Sequence, residues 1–295
     1  MRLRFAHRSL GLDGPPRLMG IVNVTPDSFY DRGVSTTPEL AAHRAAEMVA
    51  AGADVIDLGG MTARPGALLE PAEEIARIVP TVEAVRDSGA VVISVDTYRA
   101  DVAAAALDAG ADLINDHTGL SDPELAPAVA ERGGGLVVTH LGVAPKQVQG
   151  GRYEIEPAAI GAFLSERAEQ AQQAGVARAG ILIDPGLGFG KSTATDLATL
   201  RALPELLGLG YPLLLACSHK EVTAEPLGLS EDTLEGTAAV VAVAAHLGVQ
   251  LLRVHDLPFM ARVARMGWLT SPRAAGYEEG GVRSGANEGA NRPSR

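Results

Sequence analysis

Three features of the sequence predict an α/β protein with a (β/α)8 TIM barrel fold. First, eight short apolar segments each stop at a polar residue, and the sequence between them is mostly helical in pattern. Second, these segments are continuously apolar and do not alternate with polar residues, which is typical of parallel strands that are covered by helices on both faces. Third, 295 residues with 46% hydrophobic residues are enough for one barrel plus tails, since barrels of this kind take about 250 residues.

The eight predicted strands end at residues whose side chains can bind ligands. In chain order, these ends are Asn23, Asp57, Asp96, Asn115-Asp116, His140, Asp184, Ser218 and Arg253-Val254-His255-Asp256. The active site of such a barrel lies at the carboxyl ends of its strands. Burying so many ionisable groups in one mouth is costly unless a ligand or mutual pairing satisfies them. We therefore interpret this set as a ligand site.

Helical segments alternate with the strands. Thr37-Pro38 supplies a capping hydroxyl and a proline at the first helical position. The sequences AAGAD and DAGAD each place a glycine, Gly52 and Gly110, where a helix stops before the next strand. The spacing of apolar residues, together with capping residues and helix-ending glycines, predicts helices at 40–51, 71–88, 122–132, 157–174, 195–207, 232–247 and 258–268.

The predicted organisation is one barrel with two flanking segments. We assign the barrel to residues 18–270. Residues 1–17 precede it as an N-terminal extension, which we expect to form a short ribbon. Residues 271–295 have almost no large apolar side chains, so we predict a disordered tail. Three loops on the catalytic face, 25–36, 59–71 and 219–230, are too long for simple turns, and we expect them to carry specificity.

Composition narrows the class of partner. The net charge of −11 argues against nucleic acid, and no apolar run is long enough to span a membrane. The single cysteine, Cys217, excludes an internal disulfide and favours a reducing compartment. We therefore expect a cytoplasmic protein. An apolar last helix predicts a homodimer, through Phe259, Met260, Val263, Met266 and Trp268.

Two patterns concern anions. Arg253 and His255 lie two residues apart on the last strand, so their side chains point to the same side of it. Two potential cations at this place would form a binding site for an anion. The alternative is a salt bridge from Arg253 to a neighbouring carboxylate and a solvated His255. The glycine-rich segment 184–191 lacks the Walker spacing, so we expect its glycines to let the backbone approach a flat ligand. The histidines are scattered and the chain has no cysteine cluster, which argues against a metal site made by protein alone, whereas Mg²⁺ shared with a ligand diphosphate and one or two oxygen ligands is compatible with the sequence.

The chain resembles the dihydropteroate synthase family over about residues 18–269. The segments that carry the resemblance are 19–29 (MGIVNVTPDSF), 57–60 (DLGG), 64–66 (RPG), 94–99 (SVDTYR), 114–116 (IND), 184–191 (DPGLGFGK) and 253–256 (RVHD). This family joins p-aminobenzoate to the methylene carbon of 6-hydroxymethyl-7,8-dihydropterin diphosphate and releases pyrophosphate. The resemblance therefore implies a folate-pathway transferase that uses Mg²⁺.

The resemblance also implies a role for each matching residue. The pterin ring would be held by Asp96, Asn115, Asp184 and Lys220. The diphosphate would be bound by Asn23, Arg64, Arg253 and His255, with Asn23 as a ligand of its Mg²⁺. Other substrate contacts would come from Ser218 and from Phe189 and Pro65, which would flank the aromatic amine. The implied catalytic residues are Asn23, Lys220 and Asp31, the last in a loop, 25–32, over the reaction centre.

Two loops depart from the family sequence. Where the family has Gly-Gly-Glu-Ser-Thr-Arg-Pro, this chain has GGMTARP at 59–65, so Ala63 replaces a threonine that contacts the diphosphate. Where the family has Ser-Arg-Lys-Ser, this chain has SHKE at 218–221. Glu221 thus replaces the serine that receives the p-aminobenzoate carboxylate at a helix N-terminus. Repulsion between the two carboxylates would weaken acceptor binding unless Glu221 turns outward.

These departures leave three hypotheses open. The first is a dihydropteroate synthase-type enzyme. The second is a divergent second paralogue, which binds pterin but has little transfer activity or an altered acceptor. The third is a methyltransferase-type pterin domain. The loop 25–32, Arg64 and the Arg253/His255 pair favour the first two, because these residues imply a diphosphate leaving group.

Overall fold

A computed structural model describes residues 1–24, 37–60, 69–89, 91–142, 152–230 and 233–275. Two strands near the amino terminus, β1 (Arg2–Arg4) and β2 (Ser9–Gly11), pair as an antiparallel ribbon. The parallel strands are β3 (Arg17–Asn23), β4 (Val55–Gly59), β5 (Val92–Asp96), β6 (Leu113–Asp116), β7 (Gly135–Thr139), β8 (Ile181–Asp184), β9 (Leu214–Ala216) and β10 (Leu251–Val254).

The parallel strands form a closed barrel. They lie in the order β8-β7-β6-β5-β4-β3-β10-β9. A parallel bridge between Ile183 and Leu213 joins the two ends of this sheet, beside a hydrogen bond from Ile183 N to Pro212 O of 3.0 Å. The predicted (β/α)8 fold is therefore confirmed.

Helices cover the barrel between successive strands. Within the described ranges these are α1 (Pro38–Ala50), α2 (Pro71–Ser88), α3 (Ala100–Asp108), α4 (Leu125–Glu131), α5 (Pro157–Gln173), α6 (Thr193–Arg201), α7 (Leu203–Leu207), α8 (Leu234–Leu247) and α9 (Leu257–Leu269). Thr37 caps α1 as predicted, because its hydroxyl accepts a hydrogen bond from Leu40 N. Gly52 and Gly110, with φ of 104° and 110°, follow α1 and α3 as predicted. In the part of the chain that the structure describes, no helix is both long and apolar enough to cross a membrane.

One predicted helix is wrong in extent. The segment 195–207 contains two helices, α6 and α7, which are separated at Ala202. Pro204 lies in the first turn of α7. Proline has no N–H to donate and clashes with the preceding turn, so it kinks or ends a helix; α2 continues through Pro80, whereas α6 stops before Pro204. The proline therefore ends α6 and begins a new short helix.

Side chains along the barrel strands alternate between two environments. Outward positions, such as Val22, Ile56 and Val95, join the large apolar layer against the helices. One inward residue of each strand, near its start, contributes to a second apolar cluster, which contains Met19, Val55, Val92, Leu113, Val137, Leu182, Leu214 and Leu251. Two residues further along most strands, the inward side chains become polar. The strand period of two thus separates an apolar floor from a polar mouth.

The N-terminal ribbon closes the apolar floor. Leu3, Phe5 and Leu12 belong to the same inner cluster as these inward strand residues. Ala6 N donates to Gly133 O at 2.8 Å, just before β7 begins. At the other terminus, backbone order continues past the predicted boundary at residue 270, since 272–274 form a 3₁₀ turn. Residues 276–295 lie outside the described ranges, so disorder there stays a prediction.

Candidate functional site

A network of buried polar groups around Asp57 occupies the centre of the mouth. The Asp57 carboxylate accepts hydrogen bonds from Ser94 Oγ at 2.6 Å, Asn115 Nδ2 at 3.1 Å and Arg253 Nε at 2.7 Å. Asp57 and Ser94 are partners on the neighbouring strands β4 and β5, and Asn115 lies on β6 one inward position further along, opposite Asp96. Asp57 therefore holds Asn115 and Arg253, two residues with predicted substrate roles.

Arg253 bridges two carboxylates. Besides its bond to Asp57, its guanidinium NH2 donates to Asp96 Oδ2 at 3.3 Å. The salt bridge that the sequence left open for Arg253 is therefore present. Burial favours the neutral acid of Asp96, but nearby positive charges, chiefly His117 and then Arg253, outweigh it and lower the pKa of Asp96. Asp96 is consequently an ionised acceptor in the mouth.

His117 is a site residue that the sequence analysis missed. Its Nδ1 lies 2.8 Å from Asp96 Oδ1, and its ring is buried. Burial alone would lower the pKa of His117, but the Asp96 carboxylate more than offsets this and raises it. Because His117 follows Asn115 by two residues, strand alternation places both on the inner side. Extending the β6 pattern one step beyond Asp116 would have identified it.

The glycine-rich segment 184–191 packs against β7. Asp184 Oδ1 accepts a hydrogen bond from Gly186 N at 2.7 Å, and burial raises the pKa of Asp184. Gly186 has φ of 68°, and a Cβ there would lie 2.1 Å from His140 O. The protein backbone therefore already requires glycine at this position, and approach of the segment to a flat ligand stays a prediction. Lys191 is buried and donates to Gly186 O at 2.7 Å, so it supports the loop.

Lys220 and Phe189 lie together at the mouth. Lys220 Nζ donates to Leu187 O and sits 4.8 Å from the centroid of the Phe189 ring. Burial lowers the pKa of Lys220, although the charge of Asp184 acts in the opposite direction. Phe189 is parallel to the His117 ring, with centroids 6.0 Å apart and 12° between the planes. A residue predicted to hold the pterin therefore contacts one predicted to flank the acceptor.

His255 is a neutral imidazole in this arrangement. Its Nδ1 lies 3.0 Å from Ser218 Oγ, so the two predicted substrate residues are paired. Burial, together with the charge of Arg253, lowers the pKa of His255 to about 3. Without a ligand, Arg253 is therefore a cation and His255 is neutral, and the predicted anion site formed by the two stays a prediction. A bound diphosphate would raise this pKa, because a nearby negative charge favours the imidazolium.

Asn23 ends β3 beside the neighbouring strand. Its Oδ1 would lie 2.9 Å from a Cβ placed on Gly59, so the amide lies directly over that glycine. Asp31, Arg64 and Pro65 fall outside the described residues, as does the departure at Ala63. Among the residues that are described, no group of three or more His, Cys, Asp or Glu side chains has the arrangement of a metal site. The ligand roles inferred from the resemblance stay predictions.

Glu221 turns away from the mouth. Its side chain is 65% exposed, and its Oε2 lies 3.0 Å from an NH2 nitrogen of Arg152. Residues 221–223 form a 3₁₀ turn and not the start of an α-helix. The neighbouring His219 bridges Thr233 Oγ1, at 2.5 Å, and Asp256 Oδ2, at 2.8 Å. The repulsive carboxylate that the sequence suggested is therefore directed to solvent and paired.

These elements define a (β/α)8 barrel protein with a polar small-molecule site at the carboxyl ends of its strands. Residues 19–255 match the family described as pterin binding enzymes, and the chain belongs to that family. It is 44% identical over 257 residues to a Mycobacterium leprae protein named inactive dihydropteroate synthase 2, with 84% of this chain and 88% of that protein covered.

Two further relatives extend the comparison. The chain is 40% identical over 251 residues to dihydropteroate synthase from Streptococcus pyogenes, covering 83% of this chain and 92% of that protein. It also matches the crystal structure of dihydropteroate synthase from Thermus thermophilus in complex with 4-aminobenzoate. That match has a TM-score of 0.81 and 38% identity, and it covers 92% of this chain and 100% of the other.

Proposed function

We propose that this protein is a dihydropteroate synthase-type transferase, which uses 6-hydroxymethyl-7,8-dihydropterin diphosphate as donor and p-aminobenzoate as acceptor. The observation that carries the proposal is the mouth itself. Asp96, Asn115, Asp184 and Lys220 surround it, and Arg253 lies among them between Asp57 and Asp96. Carboxylate and amide groups suit the N–H donors and ring nitrogens of a pterin. Membership of the pterin binding enzyme family supports the same substrate class.

In the proposed reaction, the methylene C–O bond breaks and pyrophosphate leaves with the electron pair. The aromatic amine then attacks the resulting pterin cation, forms the C–N bond and loses a proton. Arg253 and a protonated His255 would stabilise the charge of the departing diphosphate. Phe189 would position the amine beside Lys220, which it already contacts.

Mg²⁺ fits this site as a partner of the diphosphate. Among the described residues, Asn23 offers an amide oxygen at the end of β3, which is an oxygen ligand of the kind that Mg²⁺ prefers. Asn23 would hold the ion together with diphosphate oxygens, and the ion would neutralise charge on the leaving group. Few protein ligands would be needed, because Mg²⁺ usually keeps several waters and takes further oxygens from substrate phosphates.

The outward Glu221 supports p-aminobenzoate as the acceptor. Pyrophosphate release that depends on p-aminobenzoate tests this directly in the wild type and in Glu221→Ser. We expect turnover in the wild type, and a change of less than about fivefold in the variant, because an exposed ion pair contributes little. Glu225→Ser is the matched control, since Glu225 also pairs with Arg152. An inactive wild type rescued only by Glu221→Ser would instead indicate a changed acceptor.

A second candidate is a pterin-binding paralogue with little or no transfer activity. Two observations favour it, the Mycobacterium leprae relative named inactive and the alanine at position 63. Calorimetry with the pterin diphosphate and Mg²⁺ separates the candidates when it is combined with the turnover assay. Tight binding without pyrophosphate release in the wild type or Glu221→Ser would establish the binding protein and reject the transferase.

We also propose a homodimer through the α8–α9 face, and a cytoplasmic location. Of the residues predicted for this surface, Phe259 and Met266 are exposed, whereas Met260 and Trp268 are buried in the core. Exposed Val243 on α8 borders the same groove as Met266. An apolar surface shared by two helices is suited to a second copy of the chain.

A further inference from the structure

We propose that His117 is a positioning residue for pterin recognition, and that its protonated imidazole holds Asp96 in the orientation that binds the ring. This inference rests on the proposed pterin-binding function. It begins from the place of His117 between the two halves of the site. On one side, His117 Nδ1 contacts Asp96 Oδ1 at 2.8 Å. On the other, the imidazole lies parallel to Phe189, with centroids 6.0 Å apart.

The Asp96 carboxylate is held at both oxygens. His117 contacts Oδ1, while Arg253 donates to Oδ2. A carboxylate held in this way cannot rotate freely about its Cβ–Cγ bond. Each oxygen nevertheless keeps a lone pair for one further donor. Asp96 therefore presents fixed acceptor positions to the N–H groups of a flat heterocycle, and the orientation of one of them depends on His117.

The His117 ring is itself fixed. The rings of His117 and Tyr98 meet edge to face, with centroids 5.7 Å apart and an interplanar angle of 82°. The His117 ring also packs against the Phe189 ring, and Lys220 Nζ lies over that same Phe189 ring. His117 thus connects the ring-holding side chains to the predicted acceptor-flanking side chain. A change in the protonation of His117 would therefore affect both Asp96 and Phe189.

The charged groups around His117 favour its protonated form. The carboxylates of Asp96 and Asp116 raise its pKa, while Arg253 and burial act in the opposite direction. The ion pair is complete below the ordinary histidine pKa and is lost as the pH rises through the raised value. A neutral imidazole still donates one hydrogen bond, but a weaker one. Pterin affinity is therefore expected to fall as the solution becomes alkaline.

The experiment measures Kd for 6-hydroxymethyl-7,8-dihydropterin, without diphosphate, by calorimetry from about pH 6 to about pH 9. In the wild type, we expect Kd to rise by about fivefold over this range, the difference between a charge-assisted and a neutral hydrogen bond. His117→Asn keeps a donor that cannot become charged, so its Kd should stay near the alkaline wild-type value at every pH. His117→Phe keeps a flat ring for Phe189 without a donor, and it should bind more weakly than His117→Asn.

Two comparisons keep the result specific. Lys220 also faces Asp96, and its pKa is lowered, but it is retained in both variants. Any alkaline dependence that persists in them therefore belongs to Lys220. His43→Asn, at an exposed histidine on α1, should reproduce the wild-type profile.

Three outcomes would overturn the inference. They are a wild-type Kd that does not change with pH, a wild-type profile retained in both His117 variants, and failure of the wild type to bind at any pH. The last outcome would reject the proposed pterin function as well, whereas the first two leave that function standing.

Discussion

Asp57 is fully buried and accepts hydrogen bonds from a hydroxyl, an amide and a guanidinium. A carboxylate without partners would be very unfavourable in a protein interior, so these three donors are what allow it to lie beneath the mouth. In return, Asp57 directs Arg253 towards Asp96. Its contribution is therefore the geometry of its neighbours, which are the residues with predicted substrate roles.

Replacing Asp57 by alanine should destabilise the protein strongly. Arg253 would keep only its longer contact with Asp96, Ser94 and Asn115 would lose their acceptor, and removing one member of a buried ion pair typically lowers the free energy of unfolding by about 3–5 kcal/mol. Urea denaturation of Asp57→Ala measures this change. The matched control is Asp108→Ala, because Asp108 also pairs with an arginine but is 62% exposed. The control should change stability by less than about 1 kcal/mol. Equal effects in the two variants would contradict this account.

At residue scale, most strand-end side chains could be predicted because each follows an apolar run. His117 is the exception, because it lies one residue beyond β6 and follows two polar residues rather than an apolar run. The orientation of Glu221 was not predictable, because it depends on Arg152, which is 69 positions earlier in the chain. Likewise, the neutral state of His255 follows from burial and from Arg253, neither of which is visible in the order of residues.

At the scale of elements, helices α8 and α9 approach each other closely at a glycine. A Cβ on Gly267 would lie only 2.3 Å from Ala242 O, so the helix backbones are in direct contact there. Gly161 in α5 offers a contrast, since a Cβ there would lie 3.5 Å from Leu206 Cδ2, an ordinary contact. Both glycines are in helices, but only one is required by packing.

The same substitution should therefore have opposite effects at these two positions. Gly267→Ala should lower the free energy of unfolding by about 1–3 kcal/mol through overpacking. Gly161→Ala should raise it by about 0.5–1 kcal/mol, because alanine is the better helix former. Chemical denaturation of both variants tests the pair. Stabilisation by Gly267→Ala would show that α8 and α9 can separate without cost.

Element positions were largely predictable, because caps and glycines mark the helix ends. Thr37 and Gly52 bracket α1 as the sequence indicates. The error at 195–207 arose because the apolar spacing continues through Pro204, although the backbone hydrogen bonds do not. The 3₁₀ form of 221–223 has no comparable sequence signal, since it is determined by how the loop packs.

At the scale of the whole molecule, the proposed α8–α9 dimer makes a direct prediction. Met266 is 60% exposed in the single chain, so Met266→Glu should not harm folding but should place charges within the proposed interface. We expect a dimer for the wild type and a monomer for Met266→Glu in sedimentation experiments. Leu40→Glu, at an exposed position on α1, is the control and should remain dimeric. A wild-type monomer would reject the proposed dimer.

Because β10 pairs with β3 on one side and with β9 on the other, the barrel closes only when its last strand is in place. During synthesis, β3 and β9 present unpaired backbone edges until residues 251–254 have left the ribosome. Such edges are templates for pairing with other chains. A message truncated before codon 251 would therefore yield an open, aggregation-prone sheet and not a shorter working barrel.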